Sequence, residues 1–110
     1  MHNTISLKKN ADFGHVLKTG KSCGNRHLVV FVLKNDEGRN RLGVSVSKKM
    51  GKAVARNKLR RRIKEAYRSL EANIAKGHDI VILPRSDLPL ASFLEVVSSL
   101  KHLMKRQGIF

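Results

Sequence analysis

The sequence is poor in cysteine and in long apolar runs. Cys23 is the only cysteine in 110 residues, which excludes an intrachain disulfide and a metal site built from several thiolates. The longest unbroken apolar run, Leu28 to Leu33, has six residues, whereas a membrane-spanning helix needs about 20. The N-terminal stretch MHNTISLKKN lacks the apolar core of a signal peptide. We therefore expect a soluble, cytoplasmic protein.

Acidic residues are also scarce, and this leaves a large positive charge. Eight Asp and Glu stand against 23 Lys and Arg, for a formal net charge of +15. Such self-repulsion disfavours a compact state unless a polyanion neutralises it. The hydrophobic content of 41% is nevertheless typical of a folded chain, and the length suits one domain. We predict a single domain over residues 1–110 that binds nucleic acid, with an anionic membrane surface as the second candidate.

Residues that could carry catalysis are scattered. The acids are Asp12, Asp36, Glu37, Glu65, Glu71, Asp79, Asp87 and Glu95, and the histidines are His2, His15, His27, His78 and His102. The acids lack the close pairing of a two-metal nuclease, and no two histidines have metal-ligand spacing. Neither a Walker A motif nor a dinucleotide-binding glycine pattern is present. These residues indicate a protein that binds RNA or DNA and does little chemistry unaided.

Hydrophobic periodicity predicts an α+β fold with the element order αββαβα. The predicted elements are helices over about 11–19, over 53–70 and within 92–108, and strands over 27–34, 41–47 and 78–84. Asn10 is the expected N-cap of the first helix, and the turn at 35–40 is expected to join two strands as a hairpin. Ser92 and Glu95 have capping-box spacing before the last helix. We expect a sandwich whose helices cover one face of a small mixed sheet.

The most basic part of the chain also has helical periodicity. Residues 55–68 read ARNKLRRRIKEAYR, in which seven of fourteen residues are Lys or Arg and Glu65 is the only acid. An apolar stripe follows one side of the helix and contains Ala55, Leu59, Ile63, Ala66 and Leu70. Like charges recur four residues apart on the rest of the surface, which costs free energy on an isolated helix. The pattern therefore favours a polyanion-binding surface over an ordinary solvated helix.

A second surface is predicted from the two central strands. One face of this pair carries Val29, Phe31, Leu33, Gly43, Ser45 and Ser47. This face is either a second core layer beneath the first helix or a groove in which a flexible single strand stacks a base on Phe31 or Phe13. The sequence leaves both interpretations open.

The string SVSKKMGKAVARNKLRRRIKEAYR, residues 45–68, closely resembles the signature of the bacterial ribonuclease P protein component. The likeness continues in family order through the ADF of the first helix, the VVFVL strand, the GHDIVILPR strand and the closing helix. The resemblance implies the small protein subunit of a ribonucleoprotein. In that complex a catalytic RNA, with Mg2+, hydrolyses precursor tRNA to remove its 5′ leader. The protein alone is then expected to be inactive and to need no stable protein partner.

The resemblance also implies a fold detail and two sets of binding residues. The fold detail is a left-handed βαβ crossover of the ribosomal protein S5 domain 2-like type. The set assigned to the catalytic RNA is Lys49, Lys52, Arg56, Asn57, Lys58, Arg60, Arg61, Arg62, Lys64 and Arg68. The set assigned to a cleft for the single-stranded leader is Phe13, Leu17, Phe31, Ser45, Ser47 and Lys48.

Three positions in these sets refine the expectation. Leu17 stands where many relatives carry an aromatic residue, so we expect apolar contact there rather than base stacking. Lys64 replaces a frequent Arg, which keeps the charge but loses the forked hydrogen-bond geometry. Asn57, a neutral amide within the basic face, is the candidate for an indirect contact with the catalytic ions. From charge and size alone, a ribosomal or nucleoid-type structural binder remains the alternative function.

Overall fold

The computed structural model of the protein describes residues 3–110, which contain five strands and three α-helices. The strands are β1 (Thr4–Ser6), β2 (Lys21–Gly24), β3 (Leu28–Lys34), β4 (Asn40–Val44) and β5 (His78–Pro84), and the helices are α1 (Asn10–Thr19), α2 (Ala53–Leu70) and α3 (Phe93–Arg106). The predicted α+β class is confirmed, and the three predicted helices and three predicted strands are all present.

Strand β5 is the centre of the sheet, whose order is β1-β4-β5-β3-β2. It pairs in parallel with β4 and antiparallel with β3. Its residues 79–82 are all buried, as a continuous apolar run predicts for a central strand. The predicted hairpin between β3 and β4 is therefore wrong, because β5 lies between them. The connection between them, residues 35–39, instead crosses two strand spacings, about 10 Å, which five residues span easily.

The two edge strands have no recognisable pattern in the sequence and were not predicted. β1 reads TIS and pairs with β4, and β2 reads KSCG and pairs with β3. Neither segment has the apolar alternation that marks a strand, so the strands beside them hold them extended. β4 is shorter than predicted and ends at Val44, because the chain then turns into a 3-10 turn at Lys48–Met50 that Ser47 caps.

Helices cover both faces of the sheet, and the prediction of a single covered face is wrong. α2 and α3 pack on the face that carries Leu42 and Val44, where the main core lies. α1 packs on the other face, where a smaller cluster is formed by Leu7, Val16 and Val81. Successive side chains of a strand point to opposite faces, so a central strand that is apolar throughout needs cover on both. Half-buried Phe31 belongs to this smaller cluster, as the core-layer interpretation predicted.

Helix α2 spans the predicted residues and connects β4 to the adjacent parallel strand β5. Its buried side chains are Leu59, Ile63, Ala66, Tyr67 and Leu70. Ala55, which the sequence placed in the apolar stripe, is exposed, and Tyr67 is fully buried instead. The left-handedness of the β4–α2–β5 crossover remains a prediction.

The ends of α1 and α3 test the capping predictions. α3 begins at the predicted capping box: the Ser92 hydroxyl accepts from the Glu95 amide at 3.2 Å, and the Glu95 carboxylate accepts from the Ser92 amide at 3.0 Å. These hydrogen bonds lower the pKa of Glu95. The N-cap prediction for α1 is wrong, because Asn10 is already the first helical residue and Lys9 precedes it.

An ion pair between half-buried Arg41 and buried Asp79 joins the two central parallel strands. Arg41 of β4 donates to both carboxylate oxygens of Asp79 on β5, at 2.7 and 2.6 Å. Glu37 and Asp12 also approach the guanidinium, at 3.2 and 3.6 Å, so the same cation ties the 35–40 turn and α1 to the sheet. Burial by itself would raise the pKa of Asp79, but hydrogen bonds from Arg41 and Asn35 lower it overall.

Because of this ion pair, we expect the free energy of unfolding to fall in acid as Asp79 becomes protonated. A carboxylate whose pKa is lowered by folding stabilises the folded state above its unfolded pKa, and that contribution is lost as pH falls through the folded pKa. We expect Asp79→Asn to lower the free energy of unfolding by about 2 kcal/mol at neutral pH. Below about pH 4 the difference from the parent protein should shrink.

Chemical denaturation at a series of pH values measures both effects. Asp36→Asn is the matched control, since Asp36 is an exposed carboxylate in the neighbouring turn. A constant difference between Asp79→Asn and the parent protein at every pH would show that the Asp79 charge does not contribute as described.

Candidate nucleic-acid interface

The predicted catalytic-RNA set forms a continuous basic face on α2 and on the turn before it. Its exposed members are Lys49, Lys52, Asn57, Lys58, Arg61, Lys64 and Arg68, and its half-buried members are Arg56, Arg60 and Arg62. Glu65, the only acid in α2, pairs with Arg68 at 3.4 Å. The other cations of the face therefore keep their charge available for a polyanion.

Polar contacts of two side chains, Tyr67 and Arg62, fix the orientation of this helix. Near its C-terminal end, the buried Tyr67 hydroxyl lies 2.8 Å from the Thr4 hydroxyl of β1 and 3.5 Å from the Asn40 amide of β4. On one flank, Arg62 Nη1 donates to the Ala91 carbonyl at 2.9 Å. Arg62 thus also has a structural role, because it holds the segment before α3 against α2.

A cleft of about 260 Å3 lies between α1, the end of β4 and α2. Its lining residues are Asn10, Phe13 and Leu17 from α1, Val44, Ser45 and Val46 from the β4 end, and Arg60 from α2. Three of them, Phe13, Leu17 and Ser45, were predicted for the leader cleft, and the structure brings these three together. The lining is thus mixed: four of its residues are apolar, and the polar ones are Asn10, Ser45 and the cation Arg60.

Gly43 brings the Phe13 ring close to the sheet. A Cβ atom at this position would lie 2.5 Å from Cζ and 2.6 Å from Cε1 of Phe13, closer than nonbonded carbons can approach. The ring therefore packs on bare backbone, directly beside Ser45 and the cleft. The alternation RLGVSVS predicted which face Gly43 occupies, but not the ring that covers it.

The remaining members of the predicted leader set lie outside the lining of this cleft. Phe31 is half-buried in the cluster beneath α1. The Ser47 hydroxyl accepts from the Lys49 amide at 3.2 Å and caps the 3-10 turn. Lys48, the first residue of that turn, is exposed. Their assignment to the leader stays a prediction.

Arg60 connects the basic face to the cleft. The sequence assigned it to the catalytic RNA, yet its side chain lines the cleft and donates to the Asn57 side-chain oxygen at 2.7 Å. Helical periodicity could have indicated this position, because Arg60 borders the buried stripe on one side and Arg62 borders it on the other. No sequence pattern indicated Asn10, Val44 and Val46, because their part in the cleft depends on where α1 lies.

The described residues do not form a metal site of their own. Among residues 3–110, no three His, Cys, Asp or Glu side chains are placed to hold an ion; His2 lies outside these residues. The side-chain oxygen of Asn57, the atom that could face a cation or its water, is the acceptor for Arg60. An amide oxygen can accept a second bond, so the indirect contact of exposed Asn57 with the catalytic ions stays a prediction.

The family assignment comes from comparison with known proteins. The family model described as Ribonuclease P matches residues 1–108. The chain belongs to the ribonuclease P protein family. The ribonuclease P protein component of Clostridioides difficile strain 630 is 47% identical over 109 residues, covering 98% of this chain and 96% of that protein. That of Clostridium botulinum strain Langeland is 46% identical over 105 residues, covering 94% and 95%.

Solved ribonuclease P proteins share the fold. The Staphylococcus aureus protein superimposes with a TM-score of 0.85 at 40% identity, covering 96% of both chains. The Thermotoga maritima protein superimposes with a TM-score of 0.83 at 39% identity, covering 92% of this chain and 96% of that one. This chain is accordingly a protein component of an endoribonuclease, and its family membership implies a part in tRNA 5′ processing. None of the helices within residues 3–110 is long and apolar enough to cross a membrane.

From the contact between Gly43 and Phe13 we predict the effect of adding one methyl group beneath the Phe13 ring. We expect Gly43→Ala to push the Phe13 ring toward the cleft and to lower the free energy of unfolding by about 1–3 kcal/mol, as overpacking does. Denaturation measures the stability, and NMR of the Phe13 ring protons measures the displacement.

Gly14→Ala supplies the matched control in α1, because a Cβ there meets nothing within 4 Å. This helix substitution should be neutral or stabilising by up to about 1 kcal/mol. Equal stability and unchanged Phe13 signals in Gly43→Ala would contradict the close packing described.

Proposed function

We propose that the protein is the RNA-binding subunit of the ribonuclease P ribonucleoprotein. It binds the catalytic RNA through the basic face of α2 and the preceding turn, and it binds the single-stranded 5′ leader of precursor tRNA in the cleft beside α1. The observation that carries this proposal is the junction of the two surfaces at Arg60, which belongs to the basic face and lines the cleft. One protein can thereby hold the catalytic RNA and its substrate next to each other.

The basic face suits a folded RNA with closely spaced phosphates. Arginines provide forked hydrogen-bond donors for phosphate oxygens, and lysines provide mobile point charges. The core and the Tyr67 contacts hold α2 in place, so little backbone order has to be gained on binding.

The cleft suits a single strand rather than a duplex. An unstacked base exposes a flat face that can stack on Phe13, whereas the bases of a duplex hide theirs. Leu17 adds apolar contact, Ser45 supplies a hydroxyl for the base edge or ribose, and Arg60 supplies a cation for the adjacent phosphate.

Catalysis is assigned to the RNA subunit acting with Mg2+. Hydrolysis of the phosphodiester is the chemistry that the ion supports when bound to the RNA. The contribution of this chain is to position the leader and to screen phosphate repulsion between substrate and catalytic RNA, which is largest when Mg2+ is scarce.

A reconstituted cleavage assay tests the proposal. The purified chain alone should cleave no precursor tRNA, and at low Mg2+ it should increase cleavage by its cognate catalytic RNA. Copurifying RNA should include that catalytic RNA. A chain that gave no increase in cleavage and copurified with ribosomal RNA or DNA would instead be a structural nucleic-acid binder.

The two surfaces should be separable by mutation. Arg61→Ala should weaken binding to the catalytic RNA and reduce the slope of log affinity against log salt by about 1. Phe13→Ala should instead weaken affinity for leader-bearing precursor about tenfold, with little change for mature tRNA. Filter binding over a salt series with each RNA measures both.

The control is Lys34→Ala, which removes an exposed cation at the end of β3. Lys34→Ala should leave both affinities unchanged. Parallel losses in Arg61→Ala and Phe13→Ala for both RNAs would show that the surfaces are not divided as proposed.

A further inference from the structure

Exposed apolar side chains are concentrated at the start of α3. Among residues 3–110 six large apolar side chains are exposed, and three of them fall within five positions: Leu90, Phe93 and Leu94, at 87%, 43% and 77% exposure. The core does not use these side chains, and the burial of α3 depends on other residues of the helix. An aromatic ring left in water beside two exposed leucines suggests a surface that another molecule covers.

Two depressions lie between this apolar segment and the flank of α2, each of about 330 Å3. Lys58 and Arg62 line both of them. Pro89 borders the first, and Phe93 borders the second together with Arg61 and Glu65. Both depressions therefore combine an apolar wall with a cationic wall, on the flank of α2 that lies across the buried stripe from Arg60.

The apolar segment is held firmly in this position. Arg62 donates to the Ala91 carbonyl at 2.9 Å, and Ala91 and Leu88 are buried. The capping box at Ser92 then fixes the start of α3, one residue before Phe93. The Phe93 ring is thus presented beside the α2 cations by a rigid backbone.

The positive charge of this surface favours a nucleotide over an apolar protein segment as its occupant. Its cations are Lys58, Arg61 and Arg62, and its only acid, Glu65, is already paired with Arg68. An apolar protein segment would bury these cations without partners, which is costly. An unpaired nucleotide provides both a base to stack on the ring and a phosphate for the cations.

We infer that Phe93, with Lys58, Arg61 and Arg62, forms a second nucleotide subsite, which takes up an unpaired nucleotide of the catalytic RNA. This inference rests on the proposed function and extends it. The catalytic RNA would then contact α2 along its exposed face and along the flank that faces α3, while the leader cleft occupies the flank at Arg60. Base stacking on Phe93 would contribute specificity for an unpaired position, which the phosphate contacts alone lack.

Binding of the complete protein to its cognate catalytic RNA tests the subsite. Phe93→Ala should weaken this binding about tenfold, whereas Phe93→Trp should restore it, because any flat ring can stack a base. Leu94→Ala is the matched control, because Leu94 is adjacent to Phe93, is more exposed than Phe93 and lines neither depression.

Chemical footprinting should show one unpaired nucleotide protected by the parent protein and by Phe93→Trp, and reactive in Phe93→Ala.

A photo-crosslinking amino acid placed at position 93 identifies the occupant directly. A crosslink to an unpaired nucleotide of the catalytic RNA supports the subsite. A crosslink to a second copy of the chain or to another protein would overturn it, as would equal affinities for Phe93→Ala and Leu94→Ala.

Failure of the subsite is distinguishable from failure of the proposed function. If the parent protein binds the catalytic RNA and stimulates cleavage while Phe93→Ala behaves identically, only the subsite is refuted. If the parent protein neither binds the catalytic RNA nor stimulates cleavage, the proposed function is refuted and the subsite with it. Circular dichroism and thermal unfolding of each variant separate a binding loss from a folding loss.

Discussion

The burial of one side of α2 is the constraint on which the rest of the structure depends. Like charges repel along this helix, at a cost of a few tenths of a kcal/mol for each pair four residues apart. Burying a side chain of the size of Leu or Ile contributes about 1.5–3 kcal/mol, and Leu59, Ile63, Tyr67 and Leu70 are all buried. Burial therefore outweighs repulsion, and a helix that would be poorly stable alone is held rigidly with its cations outward.

The position of α2 has consequences on both of its flanks. On one flank Arg60 reaches the cleft that α1 and the end of β4 complete. On the other Arg62 binds the Ala91 carbonyl and fixes the segment that carries Phe93. Charge is the common property of these surfaces, while the neighbouring elements give each a different apolar partner. A single basic helix in this way presents its cations in several chemically distinct environments.

Local patterns were sufficient to predict the elements with strong periodicity or strong caps. The α2 boundaries, the apolar strand β5 and the capping box of α3 agree with the structure because each depends on neighbours within a few residues. The hairpin prediction was wrong because proximity in sequence favours pairing of β3 with β4, whereas the apolar run of β5 requires the central position. The edge strands were missed since TIS and KSCG are ordered by their partners.

The sequence by itself determined the strong positive charge of the protein and the residues of its basic face. Those properties follow from composition and from one helical repeat, and both are local. Tertiary structure alone decided that Arg41 is neutralised by three carboxylates, that Arg60 reaches the cleft, and that Phe93 lies beside Arg62. Each of these results depends on contacts between segments that are far apart in the chain. A sequence pattern does not indicate how close such segments lie in the folded protein.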